Sequence, residues 1–121
     1  MVESYRQPKG TITLSGASGS FILDAPVEGE LEAVVLDHND GGGTVGVTFT
    51  ALSDGQPDQV LTVFNNGAKG WSYPRKQAAD AAGALITGEY VQPFVTGYIQ
   101  IDIAQGTNGA VFTAWAIVRR V

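Results

Sequence analysis

The chain has 121 residues, 44% of them hydrophobic, with 7 Lys and Arg against 12 Asp and Glu for a formal charge of −5. That length suits one domain with a real core, and the acidic balance argues against a groove for nucleic acid, which needs clustered cations to displace counterions. With no Cys there is no disulfide framework, no thiolate metal site and no thiol nucleophile.

Residues 1–9 are polar and contain Pro8, so they read as an extended N-terminal arm, with a single β domain over residues 10–121. The arm lacks the apolar stretch and cleavage site of a secretion signal, and no run in the chain is long enough to span a bilayer, so no membrane contact is expected. Thr11–Leu14 alternates with Ile12 and Leu14 inward, Ser15 to Gly19 turns, and Ser20–Asp24 returns, which predicts a first hairpin. Leu31–His38 follows, with Leu31, Ala33 and Val35 on one face and Val34 and Leu36 on the other. Asn39 to Gly43 is the strongest turn signal, and Val45, Val47 and Phe49 alternate after it, so a second hairpin is expected over Leu31–Ala51.

Ser53–Asp58 reads as a loop, Gln59–Phe64 as a strand, and Asn65-Asn66-Gly67 as a reversal. Trp71 and Tyr73 begin a strand that Pro74 ends or confines to a sheet edge. Lys76–Ala84 is rich in Ala and suits one helical turn, limited by Gly83. Leu85–Tyr90 reads as a short strand. The last stretch, Tyr98–Val121, predicts a third hairpin. Ile99, Ile101 and Ile103 alternate with polar residues, Gln105 to Gly109 turns, and Ala110–Val118 is apolar on both faces, as a strand covered on both sides would be. The expected fold is all-β: a single antiparallel β-sandwich or jelly-roll-like barrel of about seven to nine short strands.

Reactive constellations are scarce. Gly41 to Gly46 matches the dinucleotide pattern G-x-G-x-x-G, but that pattern needs a helix after it and Val47-Thr48-Phe49-Thr50 is strand-forming, so a hairpin turn is the better reading. Asp37-His38-Asn39-Asp40 places oxygen ligands and the one imidazole together. A calcium loop beginning at Asp37 has its Gly at Gly42 but lacks the bidentate Glu at Thr48, which leaves either a local turn or a cation site. His38 has no partner for a zinc site, and Ser15, Ser18, Ser20 and Ser72 lie outside any nucleophile elbow, so His38 reads as an exposed turn residue. No cofactor, metal or catalytic residue is expected, and the chain is not read as an enzyme.

Binding surfaces are better represented. Glu28, Glu30 and Glu32 point the same way on an extended segment, either as an acidic stripe for a basic partner or as a solvated face; carboxylates side by side on one strand do not flank a glycosidic bond. Trp71, Tyr73, Tyr90, Phe94 and Tyr98 crowd one segment, suited to stacking on sugars, anchoring a protein interface or plugging a sandwich end. Arg75-Lys76 and Arg119-Arg120 are the paired cations, available to a neighbouring acidic chain or simply to solvent. The candidate partner contacts are therefore Tyr5, Arg6 and Lys9 of the arm, Glu28, Glu30 and Glu32, and Trp71, Tyr73 and Arg75.

At Tyr73-Pro74-Arg75, Asp80-Ala81-Ala82-Gly83, Ile86-Thr87-Gly88-Glu89-Tyr90 and Pro93-Phe94-Val95-Thr96-Gly97-Tyr98 the chain resembles the small decoration, or cement, proteins of tailed-bacteriophage heads. The likeness runs from Leu31 onward and is strongest from Trp71 to Gln105. It implies a β-rich, non-enzymatic virion subunit that binds the major capsid protein of the assembled shell, often as a trimer on local symmetry axes, after assembly in the host cytoplasm. A head–tail connector or tail protein, and a carbohydrate-binding module using Trp71, Tyr73 and Tyr98, are the competing expectations.

Overall fold

The computed structural model describes residues 5–52, 59–79, 81–82 and 84–120. Every regular element among them is a strand: β1 (Tyr5–Arg6), β2 (Lys9–Thr13), β3 (Gly19–Ile22), β4 (Val27–His38), β5 (Gly46–Leu52), β6 (Gln59–Phe64), β7 (Gly70–Ser72), β8 (Lys76–Ala79), β9 (Leu85–Val91), β10 (Phe94–Ala104) and β11 (Val111–Arg119). The domain is all-β. Nine strands form one antiparallel sheet that curls into a half-barrel, and β8 and β9 pair with each other as a separate two-stranded sheet.

The curl makes two layers. In the first, β11 lies between β4 on one edge and β1 and β2 on the other, and β7 borders the far edge of β4. In the second, β10 lies between β3 and β5, with β6 outside β5. β10 belongs to both layers. Phe94–Gly97 pairs with Glu30–Val27 of β4, and Tyr98–Ala104 pairs with Leu52–Gly46 of β5. The switch falls at Gly97, whose φ of 84° is open to glycine at little cost and bends the strand round the corner.

Between the layers lies the core. β11 contributes Phe112, Ala114, Ala116 and Val118, all fully buried, and β4 contributes Leu31, Val34 and Leu36. The second layer answers with Val47, Phe49 and Ala51 of β5 and with Ile99, Ile101 and Ile103 of β10. Each large side chain so buried contributes about 1.5–3 kcal/mol. The expected isoleucine alternation is therefore realised.

The three expected hairpins are not hairpins. Their strands form where expected, but β2 pairs with β11 and β3 with β10, while β4 and β5 have no common ladder, nor have β10 and β11. Each Gly- and Asn-rich reversal carries the chain from one layer to the other. The same residue types serve both kinds of reversal, because both need unusual backbone angles. The crossings 14–18, 39–45 and 105–110 meet at one end of the molecule and bind one another. Gly106 N–H donates to the Ala17 carbonyl at 2.7 Å, Gly109 N–H to the Leu14 carbonyl at 2.9 Å, and Thr44 Oγ1 to the Gln105 carbonyl at 3.3 Å.

Other expectations are also corrected. Of the extended arm expected over residues 1–9, Tyr5–Arg6 and Lys9 lie along β11 of the same chain, where they satisfy backbone groups that an open edge would leave unpaired; residues 1–4 are outside the described residues. Lys76–Ala79 is strand rather than helix, paired with β9. The register of β11 against β4 slips between Ile117 and Val118, leaving Glu32 as a bulge. Leu31 therefore shares the inner face with Val34 and Leu36, not the outer face with Ala33 and Val35. The expected loop Ser53–Asp58 lies outside the described residues.

Candidate functional site

The outer face of the first layer gathers most of the candidate residues. Directly opposed residues of antiparallel strands present side chains on one face, so Lys9, Trp115, Val35 and Trp71 form a row across β2, β11, β4 and β7. Ile117 and Ala33 make the next row, and past the bulge Tyr5, Arg119, Glu30 and Phe94 make another. Although it faces outward, Val35 is only 4% exposed, enclosed by its tryptophan neighbours. Trp71 itself is 56% exposed and Tyr73 62%, and their rings lie nearly parallel at 20° with centroids 6.2 Å apart. The apolar second face of β11 is thus an open surface rather than one covered by a further layer, with Val111, Trp115 and Ile117 half-buried.

The β8–β9 hairpin leaves the edge of this layer. β4 is paired with β7 through Val34–Leu36 and with β10 through Val27–Glu30, and the hairpin leaves through the gap between them. Its two legs are tied at the Glu32 bulge. Arg75 Nη1 donates to the Glu32 carbonyl at 3.3 Å, and Leu31 N–H donates to the Pro93 carbonyl at 2.8 Å. Beyond that base the two strands pack chiefly on each other. Tyr90, Val91 and Phe94 are exposed around it.

The glutamates are not an open acidic stripe. Arg119 pairs with Glu30 and brings its Nε within 3.6 Å of Glu32 Oε1, so the chain's own arginine engages both. This also removes Arg119 from the cations expected to meet a neighbour. Lys69 likewise lies 3.7 Å from Asp37 and donates to the His38 carbonyl at 3.0 Å. Glu30, Glu32 and Asp37 beside the aromatic rows are therefore engaged by cations of the same chain. Tyr98 falls elsewhere: it lies past the Gly97 bend and pairs with Leu52 of the second layer, so the expected trio with Trp71 and Tyr73 is not assembled. Arg6 and Glu28 line a pocket at the end of the layers where β1 lies beside the end of β11. Trp115 and Ile117 were not foreseen as surface residues; the two-sided apolarity of β11 was their signal.

His38 is buried, not an exposed turn residue. Its ring sits 5.0 Å from that of Phe112; Nδ1 accepts the Asp40 N–H at 3.1 Å, which leaves Nε2 to donate to the Gly67 carbonyl at 3.1 Å. Asp40 is buried as well. Its carboxylate accepts Gly42 N–H at 2.9 Å, Thr107 N–H at 2.7 Å and the Thr107 hydroxyl at 3.2 Å. The Gly42 amide above all, with the two Thr107 donors and the neighbouring His38, holds the Asp40 carboxyl below its ordinary range, against the opposing effect of burial. Asn39 Oδ1 accepts Val111 N–H at 2.8 Å. Asp37, by contrast, faces Lys69 on the outer surface. These four residues hold loops together and do not converge on a point. Among the described residues no group of His, Asp and Glu is disposed to hold a metal ion. Gly41–Gly46 leads into β5, so no helix amides face a phosphate there.

No known protein family and no curated protein matches the chain. Among solved structures it is similar to FLHE, known from a crystal structure, at 17% sequence identity over 98% of each chain and with a TM-score of 0.46.

Proposed function

We propose that this chain is a non-enzymatic structural subunit that docks on an assembled protein shell through the outer face of its first layer and the β8–β9 hairpin. The observation that carries this reading is the exposed aromatic surface of Trp71, Tyr73, Tyr90 and Phe94 around the β8–β9 hairpin. Aromatic side chains of this kind dominate interface energetics, and Glu30, Glu32 and Asp37 beside them already have partner cations within the chain. The motifs shared with phage decoration proteins make the tailed-phage head the shell and its major capsid protein the partner. A homo-oligomer, most simply a trimer at a local symmetry axis on the virion surface, fits that role. A subunit that binds only the assembled shell stabilises it by mass action, and many weak sites add through multivalency.

Purified heads lacking the protein test the reading. Wild-type chain should saturate them at a copy number matching the capsomers, and Trp71→Ala and Tyr73→Ala should reduce occupancy without altering the melting temperature. Failure of folded wild-type chain to bind heads refutes the shell reading. A copy number matching a single ring moves the protein to the head–tail junction or the tail. The near-parallel Trp71–Tyr73 pair favours a second reading, stacking on a sugar ring. A glycan array with Trp71→Ala as control decides it, since no glycan-dependent signal removes that reading.

A further inference from the structure

At the end of the molecule away from the three crossings lies a pocket of about 340 Å³, with Val27 and Pro26 in its wall and the side chains of Arg6, Arg120, Glu28 and Thr96 around it. Arg6 is paired with Val118 of β11 and Arg120 directly follows the end of β11, so both lie at the end of the layer where β1 and β11 adjoin. The mouth of a β-barrel is a recurrent place for small ligands, and this volume is at the small end of their range.

The charges at this mouth are unusual for the chain. The protein is acidic overall, and among the described residues its other partnered cations have their own contacts: Arg119 with Glu30 and Glu32, Lys69 with Asp37, Arg75 with backbone carbonyls. Arg6 and Arg120 have no such contact among the described residues, yet line one pocket. Two guanidinium groups that share a small cavity repel each other. Among the described lining residues, Glu28 offsets one positive charge and leaves the other. An anion placed between the forks removes the repulsion and gains charge-assisted hydrogen bonds. Val27 and Pro26 offer apolar surface behind it. We propose that this pocket binds a carboxylate on a short aliphatic stem, supplied either by an Asp or Glu side chain of a partner protein or by a free small carboxylic acid. The site is distinct from the aromatic face, and its test is independent of shell docking.

The test is a titration of the ¹⁵N-labelled full chain, followed by amide shifts, with sodium propionate and separately with an N-acetylated, C-amidated Gly-Glu-Gly peptide; sodium chloride at equal ionic strength is the control. Saturable shifts centred on Arg6, Val27, Gly97 and Arg120 are expected, with affinity reduced at least about tenfold in Arg6→Gln/Arg120→Gln. Because Arg6 is in β1, the single variant Arg120→Gln, just past the end of β11, provides the same reading if the double variant misfolds. Binding of propionate alone identifies a site for free acids; binding of the peptide identifies a docking socket for an acidic side chain. Shifts no larger than those with chloride, or undiminished in the variants, overturn the proposal.

Discussion

Among the described glycines, Gly29 has the closest backbone neighbour for an added Cβ, and its substitution tests the packing of β4 on β11. An added Cβ would overlap the Arg119 carbonyl oxygen and lie 2.9 Å from its carbonyl carbon and 3.2 Å from Arg120 Cα. All three are backbone atoms, so no rotamer change relieves the contact and the end of β11 must move away. That movement loosens the pairing at Val118 and Arg119, about 1 kcal/mol for each hydrogen bond lost. It also opens Val118, now fully buried, at a further cost of about 1–2 kcal/mol. Gly29→Ala should therefore cost about 3 kcal/mol, a drop of about 12 °C in Tm for a chain of this length. Two internal comparisons separate crowding from backbone strain. Gly29 and Gly109 both have positive φ, 156° and 86°, but nothing lies near an added Cβ at Gly109, so Gly109→Ala carries only the backbone penalty, about 1–2 kcal/mol. Gly41 has neither constraint, and Gly41→Ala should be neutral or slightly stabilising. Thermal melts followed by circular dichroism, with urea titrations for the free energies, rank the three. A Gly29→Ala chain that melts with or above Gly109→Ala would refute the close approach of β4 to β11.

Other perturbations reach the remaining parts of the argument. Because Asp40 has a lowered carboxyl pKa in the folded state, its contribution is present in full above the ordinary carboxylate value and lost as the pH falls through the lowered one. The wild-type urea midpoint should decline on acidification, whereas Asp40→Asn, which turns an NH₂ group toward donors, should start lower at neutral pH and change less over the same window. Phe112→Ala empties a fully buried site beside the His38 ring and should cost about 3–5 kcal/mol, while Trp71→Ala, on the open face, should stay within about 0.5 kcal/mol of wild type in the same denaturant assay. Replacing residues 76–91 with a short Gly/Ser bridge should leave the cooperative melt of the main sheet intact, because β8 and β9 pair with each other and not with it. Loss of that cooperative melt would show that the hairpin belongs to the folding unit.

Much of this molecule was legible as strands. The Ile99, Ile101 and Ile103 alternation and that of Val45, Val47 and Phe49 placed the inner faces, because a period of two leaves no other solution for a half-buried strand. Pro74 correctly ended β7 at an edge. Face assignment failed at Glu32, where a single bulged residue exchanges the two sides of β4 for everything before it, and no composition signal marks that position. His38 was misplaced for a related reason. An imidazole next to Asn, Asp and three glycines looks solvated, but its neighbours Asp40 and Gly67 supply both ring nitrogens with partners and Phe112 supplies the ring contact. The open outer face is hard to read from sequence in part because Trp115 and Ile117 sit in a run apolar on both sides, which is also how a doubly covered strand reads.

The mistaken hairpins show where a usable signal did lie. In a hairpin the amides beside the turn are satisfied by the ladder itself, so the turn needs only residues that tolerate the backbone angles. A crossing between layers leaves those amides without ladder partners, and where the sheet end is part-buried, as at Gly42 and Thr107, an unpaired one is costly. Side-chain oxygens must replace them. Here Asn39 accepts Val111 N–H, Asp40 accepts Gly42 and Thr107 N–H, and Asn108 accepts Gly16 N–H at 2.8 Å. Each crossing either brings an Asn or Asp acceptor or receives one from another crossing, and three of these four bonds join segments more than sixty positions apart in sequence. Acceptors in excess of what the turn geometry requires, recurring at three reversals in one chain, are the mark of loops that bind each other rather than close hairpins. The same saturation explains why this end, which holds the chain's one histidine and a buried carboxylate, is structural: its polar groups are consumed in joining the layers, and the partner surfaces proposed above lie on the outer face and at the opposite mouth.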